Sequence, residues 1–317
     1  MDHWCQDWMA ALPEELWDVP LNHLAIPGSH DTMSYCLDIN SPLVRSESDL
    51  FRILDGLCCC FTRPTIFKWA TTQDHSIEEQ LSMGIRYFDL RVARKPNDSS
   101  TCLHFTHILY THVTVLDTLS SVAAWLDSHP KEIVILACRH FEGINDKFHE
   151  SFIVLLKKLF GSKLCRWDEA HLSLRSLWAL GRQVLLSYDA DVASRHAQLL
   201  PAIPYWWANQ RTARGAISYL EWNQQLGRPR GFFVTGLNLT ADRKYILTNP
   251  KQSLRTLTFT HWDHLSKWLQ DQRPGSNHTD LNIIAGDFVG PLPLCSLVIG
   301  LNRKLLPNKK SHMETSY

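Results

Sequence analysis

The chain alternates between short apolar runs and longer stretches with helical periodicity, and this alternation constrains the fold more than any other feature. Several of the short runs are apolar at every position, which is typical of parallel strands covered on both faces. Strands that alternate with helices favour an α/β fold with a single TIM-like (β/α) barrel, irregular in places. The predicted strands are 24–26, 85–90, 103–105, 133–138, 183–188, 204–207, 232–237 and 282–286.

Three intervening stretches carry clear helix signals. Residues 117–129 have apolar positions at three/four spacing, and residues 174–180 are followed by Gly181, which closes the helix. Residues 76–82 begin at Ser76, with Glu79 three positions later as in a capping box. No glycine-rich phosphate loop supports the alternative of an open nucleotide-binding sheet.

The 317 residues fit one barrel-sized domain over the whole chain, 1–317. We expect the core at about 7–306 and a short basic tail at 307–317. The stretch 41–68 fits the alternation poorly and is predicted to be an excursion between the first strand and its helix.

The charge balance and the cysteine content indicate which binding partners and which cellular compartment are favoured. The 32 basic and 32 acidic residues cancel, which disfavours nucleic acid as a partner. Nine irregularly spaced cysteines and an N-terminus without a signal-peptide pattern predict a cytoplasmic protein with at most transient peripheral membrane association. The glycosylation motifs at Asn97, Asn238 and Asn277 are then chance matches.

Polar residues follow the predicted strands, and barrel enzymes place their active sites at the carboxyl ends of strands. Residues 26–32 read Ile-Pro-Gly-Ser-His-Asp-Thr, so His30 and Asp31 follow the first strand. Histidine suits proton transfer because its unperturbed pKa is about 6.5. A loop histidine capped by its neighbours is the alternative interpretation.

Strand alternation also places charged residues on one face of the second strand. Asp89 and Arg91 share a face, and burying such a pair is costly unless the ions pair or bind a ligand. Guanidinium is a preferred partner of phosphate oxygens, although a purely structural ion pair stays open.

Two further strand ends carry candidates. His104 and His107 are three positions apart, so one faces the barrel mouth while the other packs or is exposed. Asp287 follows the last strand, which neighbours the first strand in a closed barrel. Asp287 could therefore reach His30 and fix its tautomer, as the carboxylate of a catalytic triad does.

These segments resemble the X domain of phosphatidylinositol-specific phospholipase C, and within that family the small X-domain-containing proteins. The resemblance runs from about Asp7 to Leu306 in the family's order. It implies a barrel enzyme that acts on a phosphoinositide or related phospholipid in a membrane, through peripheral contact. The similar segments are 26–32, 69–73, 84–91, 283–288 and 301–305.

The resemblance assigns roles to four residues. His30 matches the base that takes the proton from the inositol 2-hydroxyl, whose oxygen then attacks phosphorus. His107 matches the acid that protonates the departing diacylglycerol oxygen. Asp287 matches the carboxylate that supports the base, and Asp31 the one that supports the acid. The implied products are diacylglycerol and inositol 1,2-cyclic phosphate.

The resemblance also implies a reaction with no metal and no cofactor. The calcium-dependent animal enzymes have Glu-Leu-Asp where this chain has 89–91, so Arg91 replaces a carboxylate beside Asp89. Arg139 likewise replaces a ligand expected after the fourth strand. A guanidinium cannot bind calcium, but it can stand in for it electrostatically.

The residues expected to contact the substrate differ in part from those of the family. Bacterial members have a basic residue near the end of the fifth strand, where this chain reads Val-Leu-Leu-Ser-Tyr at 184–188. Arg139, Trp206, Trp207 and Asn209 are predicted to contact the substrate, and the headgroup stays open. A catalytically weak phosphoinositide-binding protein is one alternative. A metal-dependent barrel phosphodiesterase is another, and it would need a carboxylate in place of Arg91.

The excursion supplies candidate membrane contacts. Its apolar residues either insert shallowly into lipid or pack on the barrel. Acylation of Cys58, Cys59 and Cys60 stays open. The apolar candidates are Leu43, Val44, Leu50, Phe51, Leu54, Leu57 and Phe61.

Overall fold

The structure is a computed structural model that describes residues 5–44, 56, 62–96, 100, 102–169 and 171–307. The strands are β1 Ile26–Ser29, β2 Tyr87–Ala93, β3 His104–His107, β4 Leu109–Thr114, β5 Val134–Glu142, β6 Val184–Tyr188, β7 Leu199–Leu200, β8 Tyr205–Trp206, β9 Val234–Gly236 and β10 Ile283–Gly286. The helices are α1 Trp8–Ala11, α2 Ile77–Met83, α3 Val115–Ser128, α4 Asp146–Phe160, α5 Leu174–Ala179, α6 Ala213–Leu226, α7 Arg243–Thr248, α8 Leu254–Asp271 and α9 Leu294–Leu301. A further helical segment covers 62–70.

The sheet confirms the TIM-like α/β prediction and shows where the barrel is irregular. Eight strands pair in parallel in the order β7-β6-β5-β2-β1-β10-β9-β8. Within the described residues, the end strands β7 and β8 do not pair with each other, so a seam remains between them. The last strand lies beside the first, with Ile26 opposite Ile283.

One predicted barrel strand is wrong. Residues 104 and 105 of the predicted strand 103–105 belong to β3, which pairs antiparallel with both β2 and β4 and forms a hairpin outside the parallel order. Ile108 turns this hairpin with a positive φ of 67°. The eighth parallel strand is instead β7, whose two residues are too few to show a periodic pattern.

Helix starts follow the predicted capping chemistry. The Ser76 side chain accepts a hydrogen bond from the Glu79 amide, and the Glu79 carboxylate accepts one from the Ser76 amide, which completes the capping box of α2. Thr114 caps α3 by accepting from the Asp117 amide, so α3 begins two residues before the predicted start.

The side chains of the parallel strands form two rows, as alternation requires. The outer row, exemplified by Phe88 and Leu136, packs beneath the helices. The inner row, exemplified by Tyr87, Ile135 and Ile283, fills the barrel. Because each inner row continues with the same period, its last members reach the mouth at the carboxyl ends of the strands.

The amino-terminal segment closes the opposite end of the barrel, which we call the barrel floor. Trp8 is buried, and its indole N–H donates to the Gly84 carbonyl at 2.9 Å. The Arg86 guanidinium pairs with Glu132 at 2.8 Å, and both side chains are fully buried. In the described part of the chain, no helix combines the length and the apolar character needed to cross a membrane.

Candidate active site

The inner rows bring polar side chains together around a cavity at the barrel mouth. The cavity has a volume of about 430 Å³. Gly28, Tyr87, Ile135 and Ala285 occupy inner positions, and the polar residues follow them at even spacing. The polar or charged side chains that line the cavity include His30, Asp89, Arg91, His107, Arg139, Tyr205 and Asn238.

His30 is oriented by the last strand. Its Nδ1 lies 2.8 Å from Oδ1 of Asp287, a contact made possible because β1 and β10 are neighbours. A carboxylate accepts only, so the neutral His30 ring carries its proton on Nδ1 and leaves the lone pair of Nε2 toward the cavity. Nε2 also lies 3.1 Å from Nη2 of Arg91.

A single carboxylate oxygen connects the two histidines. Oδ2 of Asp31 lies 3.2 Å from Nε2 of His30 and 3.2 Å from Nε2 of His107. The Nδ1–H of His107 donates to the Ala70 carbonyl at 2.6 Å, which leaves its Nε2 available for proton transfer. Asp31 adopts a left-handed backbone with φ 42°, and its amide donates to Asp89 at 3.1 Å.

Arg91 lies among the acidic groups. Its guanidinium pairs with Asp31, and its Nη2 lies 3.5 Å from Asp89. Arg139 approaches Asp89 from the neighbouring strand, with Nε 3.9 Å from Oδ1. Burial alone raises the pKa of Asp89, but Arg91, His30 and Arg139 outweigh burial and leave that pKa below its ordinary value.

The two histidines have opposite pKa shifts. Burial lowers the pKa of His30, yet Asp31 and Asp287 raise it more, so the net shift is upward. Burial also lowers the pKa of His107, and Asp31 offsets this only in part because Arg91 and His30 add positive charge. The cluster therefore contains two imidazoles with different proton affinities, joined by one carboxylate.

Three residues of the cavity carry donor atoms close enough together to consider a metal site. Oxygen or nitrogen atoms of His30, Asp31 and Asp89 lie within 4.8 Å of one another. The Arg91 guanidinium, however, contacts all three of these residues. Calcium requires six to eight oxygen ligands, and a divalent ion at this position would face the fixed charge of the arginine. These donors therefore fit a guanidinium better than a metal ion.

Not every predicted substrate contact reaches the cavity. Trp206 belongs to the outer row and packs in the core, with its ring 4.6 Å from that of Phe233. Asn209 is exposed and does not line the cavity. Arg139 and Trp207 do line it, and the Trp207 indole donates to Thr240 at 2.9 Å.

Sequence reasoning missed two residues of the cavity. Tyr205 precedes Trp206 and faces inward, with its ring 6.2 Å from that of His30. Asn238 lies two positions after Gly236, and its amide nitrogen is 3.4 Å from Nε2 of His30. Inward-facing positions recur every second residue along a strand. Extending this alternation one step beyond the apolar run would have indicated that Asn238 faces the cavity.

The predicted membrane contacts of the excursion are described only at its start. Leu43 and Val44 are buried, and the Val44 amide donates to the Ile108 carbonyl at 2.9 Å. These two residues therefore pack on the barrel, contrary to a membrane role. The other apolar candidates and Cys58–Cys60 lie outside the described residues.

Comparison with known proteins agrees with this architecture. Residues 66–189 match the family model of the phosphatidylinositol-specific phospholipase C X domain. The chain is 47% identical over 302 residues to human PI-PLC X domain-containing protein 1, covering 95% of this chain and 93% of the relative. It is 45% identical to the Danio rerio protein of that name, covering 94% and 97%.

A solved structure extends the likeness to the fold. Phosphatidylinositol-specific phospholipase C from Listeria monocytogenes superimposes with a TM-score of 0.64 at 17% sequence identity, covering 93% of this chain and 98% of that one. At this identity the match concerns the barrel fold alone. The resemblance predicted from the sequence is confirmed, and the chain belongs to the family of PI-PLC X domain-containing proteins.

Proposed function

We propose that the chain is a phospholipase C type phosphodiesterase that cleaves phosphatidylinositol-like lipids without a metal ion. The observation that carries the proposal is the geometry of His30 and His107, whose Nε2 atoms lie at equal distance from one Asp31 oxygen beside the Arg91 guanidinium. An internal phosphoryl transfer needs one proton removed and one supplied, and a fixed cation stabilises the charge on the phosphoryl oxygens.

The proposed reaction has one proton removed and one supplied. Nε2 of His30 takes the proton of the inositol 2-hydroxyl, and that oxygen forms a bond to phosphorus. The bond from phosphorus to the diacylglycerol oxygen breaks, and His107 protonates the departing oxygen. The products are inositol 1,2-cyclic phosphate and diacylglycerol, and Arg91 stabilises the additional negative charge on the phosphoryl oxygens.

The supporting carboxylates have distinct tasks in this proposal. Asp287 fixes the tautomer of His30 and stabilises the imidazolium that forms. Asp31 orients His107, and Asp89 orients Arg91 and Arg139 through its ion pairs. Removing a supporting carboxylate should therefore reduce the rate less than removing the histidine it serves.

We further propose that Arg139, Tyr205 and Trp207 form the wall that holds the headgroup. The Arg139 guanidinium lies 5.4 Å from the centre of the Tyr205 ring, so a cation and an aromatic face meet at one side of the cavity. A polyol ring offers hydroxyls to the guanidinium and C–H bonds to the aromatic faces. These three residues replace the predicted set that included Trp206 and Asn209.

The rim of the cavity supports peripheral membrane contact. Trp207 is 48% exposed at the mouth, and Leu247 is 60% exposed on α7, next to the cavity-lining residue Ile246. Shallow insertion of such side chains would hold the mouth against lipid. Five described cysteines are free, which supports a reducing compartment such as the cytoplasm. They are Cys36, Cys102, Cys138, Cys165 and Cys295.

The test uses purified full-length protein and vesicles that contain inositol-labelled phosphatidylinositol, with excess chelator. The parent is compared with His30→Ala, His107→Ala and the control His264→Ala, whose histidine lies on α8 outside the cavity lining. We expect the parent and the His264→Ala control to release the labelled inositol product, and His30→Ala and His107→Ala to release none. Vesicle binding without release at any pH from 5 to 8 would favour a binding protein. Release only after calcium is added would favour a metal-dependent phosphodiesterase.

A further inference from the structure

Nε2 of His30 lies between groups that favour a proton on this nitrogen and groups that favour a lone pair there. Asp31 Oδ2, at 3.2 Å, favours a proton on this nitrogen. Nη2 of Arg91, at 3.1 Å, and the amide nitrogen of Asn238, at 3.4 Å, are donors and favour a lone pair there. The charge state of the proposed base is therefore decided by the donors as well as by the carboxylates.

Asn238 presents its amide nitrogen to His30 because its oxygen is engaged elsewhere. The Tyr205 hydroxyl donates to Oδ1 of Asn238 at 2.8 Å. An asparagine side chain has a donor end and an acceptor end, so fixing the oxygen on Tyr205 directs the NH₂ group toward His30. Rotating the amide would place its oxygen beside Nε2 and favour a protonated ring instead.

The backbone between these residues is built for their close approach. A Cβ atom at Gly236 would overlap both Cε1 of Tyr205 and Oδ1 of Asn238, and it would lie 3.1 Å from the Trp206 carbonyl. Only glycine leaves room for the tyrosine and the asparagine to meet at this position. The contact between Tyr205 and Asn238 is thus built into the packing of β8 against β9.

We propose that Asn238 is a positioning residue that donates its amide to Nε2 of His30 and favours the neutral imidazole, and that Tyr205 and Gly236 fix the amide in this orientation. The role rests on the proposed function, since only a base that begins neutral can accept the proton of a hydroxyl. The donor at Nε2 opposes the two carboxylates that favour a protonated His30 and leaves the shared proton available to His107.

Arg91 also donates toward Nε2 of His30, but it is paired with Asp31 and Asp89, whereas Asn238 is an uncharged donor. Burial and the nearby carboxylates, with Asp89 the largest of them, raise the pKa of Tyr205 well above its ordinary value, so its hydroxyl remains neutral. Replacing Tyr205 by Phe therefore removes an orienting hydrogen bond without removing a charge. The charged and titratable groups that face His30 are Asp31 after β1, Asp89 and Arg91 on β2, His107 on β3, Tyr205 on β8 and Asp287 after β10.

The test measures the pKa of His30 directly, by NMR titration of the full chain labelled with ¹⁵N in its histidine rings. The His30→Gln variant assigns the signal. Asn238→Ala and Tyr205→Phe should each raise the pKa of His30 by about half a unit to one unit, the size expected for loss of one oriented hydrogen bond. If turnover is present, kcat/KM at its optimum should fall by about three- to tenfold in both variants.

The matched control is Tyr188→Phe. Tyr188 is also a buried tyrosine of the parallel sheet, and its hydroxyl lies 2.7 Å from Nδ1 of a different histidine, His149. This variant should lose stability while the pKa of His30 stays at the parental value. Melting temperatures of all variants separate loss of fold from loss of orientation.

The outcomes distinguish the two proposals. An unchanged pKa of His30 in folded Asn238→Ala and Tyr205→Phe overturns the role of Asn238, whether or not the parent turns over lipid. An equal rise in Tyr188→Phe also overturns it, because the shift would then reflect general loosening. The expected pKa shifts together with an inactive parent would support the orientation by Asn238 and contradict the proposed reaction.

Discussion

The barrel holds an arginine–carboxylate cluster at each end, and the two clusters differ in how completely they are satisfied. At the floor, both Glu132 oxygens accept hydrogen bonds, from Arg86 and from the amides of Met9 and Ala10. Arg86 also donates to the main-chain carbonyls of Leu81, Ile85 and Gln6. At the mouth, Oδ2 of Asp287 accepts no hydrogen bond, and three further carboxylate oxygens have ionic contacts but accept no hydrogen bond; they are Oδ1 and Oδ2 of Asp31 and Oδ1 of Asp89.

The difference is the one expected between a structural ion pair and a cluster that binds a ligand. A buried pair whose hydrogen bonds are all made has nothing to offer a ligand, and removing one partner leaves an uncompensated charge. A cluster with unsatisfied acceptors and an adjacent cavity has the features expected of a substrate site, which is the role proposed for the mouth. Arg86 lies just before β2 and Arg91 lies within it, five residues later, yet their surroundings differ in this way.

The largest expected effect is at the mouth. His30→Ala and His107→Ala should each reduce kcat/KM by about 10²- to 10⁴-fold, the usual contribution of an acid or base. The melting temperature should stay near the parental value because neither side chain belongs to the apolar core. Activity within threefold of the parent in either variant would remove the basis of the acid/base assignment.

The next effect is at the floor. Glu132→Gln should lower the free energy of unfolding by roughly 3–5 kcal/mol, because Arg86 loses its buried counter-charge. Chemical denaturation measures this change, and the rate per folded molecule should remain parental. Asp89→Asn is the matched mouth variant: it should lose less stability and more activity, and the reverse ranking would contradict the comparison of the two ends.

The pH dependence follows from the opposite pKa shifts of the two histidines. The active form carries one proton on the pair, and it must lie on His107, whereas the pKa shifts place it mainly on His30, so only a minority of singly protonated molecules is active. kcat/KM should still be bell-shaped, with one limb below and one above pH 6.5. His30 has a raised folded pKa and stabilises the fold fully below pH 6.5, and this stabilisation is lost as pH rises through the folded pKa. A rate profile that only rises or only falls between pH 5 and 8 would contradict the pairing.

The smallest effect concerns the rim. Trp207→Ala should weaken binding to phosphatidylinositol vesicles by about three- to tenfold, since part of one indole leaves the lipid interface. Cosedimentation measures the change, and Trp222→Ala is the control because Trp222 is 60% exposed on α6 outside the cavity lining. Equal weakening by both variants would mean that the mouth is not the membrane-facing surface.

Much of the fold and the central site follows from period-two alternation. The neighbouring position of the first and last strands predicts the contact of His30 with Asp287, which the structure shows at 2.8 Å. The same periodicity also placed Asp89 and Arg91 on one face, and both line the cavity. These features are predictable because they depend on local spacing within long, strongly apolar strands.

The rest depends on tertiary contacts that a local pattern does not contain. The strand β7 has only two residues, so its place in the sheet comes from pairing with β6. β8 is equally short, and the alternation of Tyr205, Trp206 and Trp207 could be assigned only once its register with β9 was known. From the sequence, Asn238 was interpreted only as part of a chance glycosylation motif. Its contacts with Tyr205 and His30 could not be predicted because those residues lie 33 and 208 positions away in the sequence.

The most direct test of the metal-free reaction follows its product by ³¹P NMR. The parent protein is incubated with phosphatidylinositol vesicles in excess chelator, and the phosphorus signals are recorded over time. We expect the signal of inositol 1,2-cyclic phosphate to appear first, and to be absent with His30→Ala. A product that forms only after calcium exceeds the chelator, or a non-cyclic phosphate formed without a cyclic precursor, would contradict the roles given to Arg91 and His30.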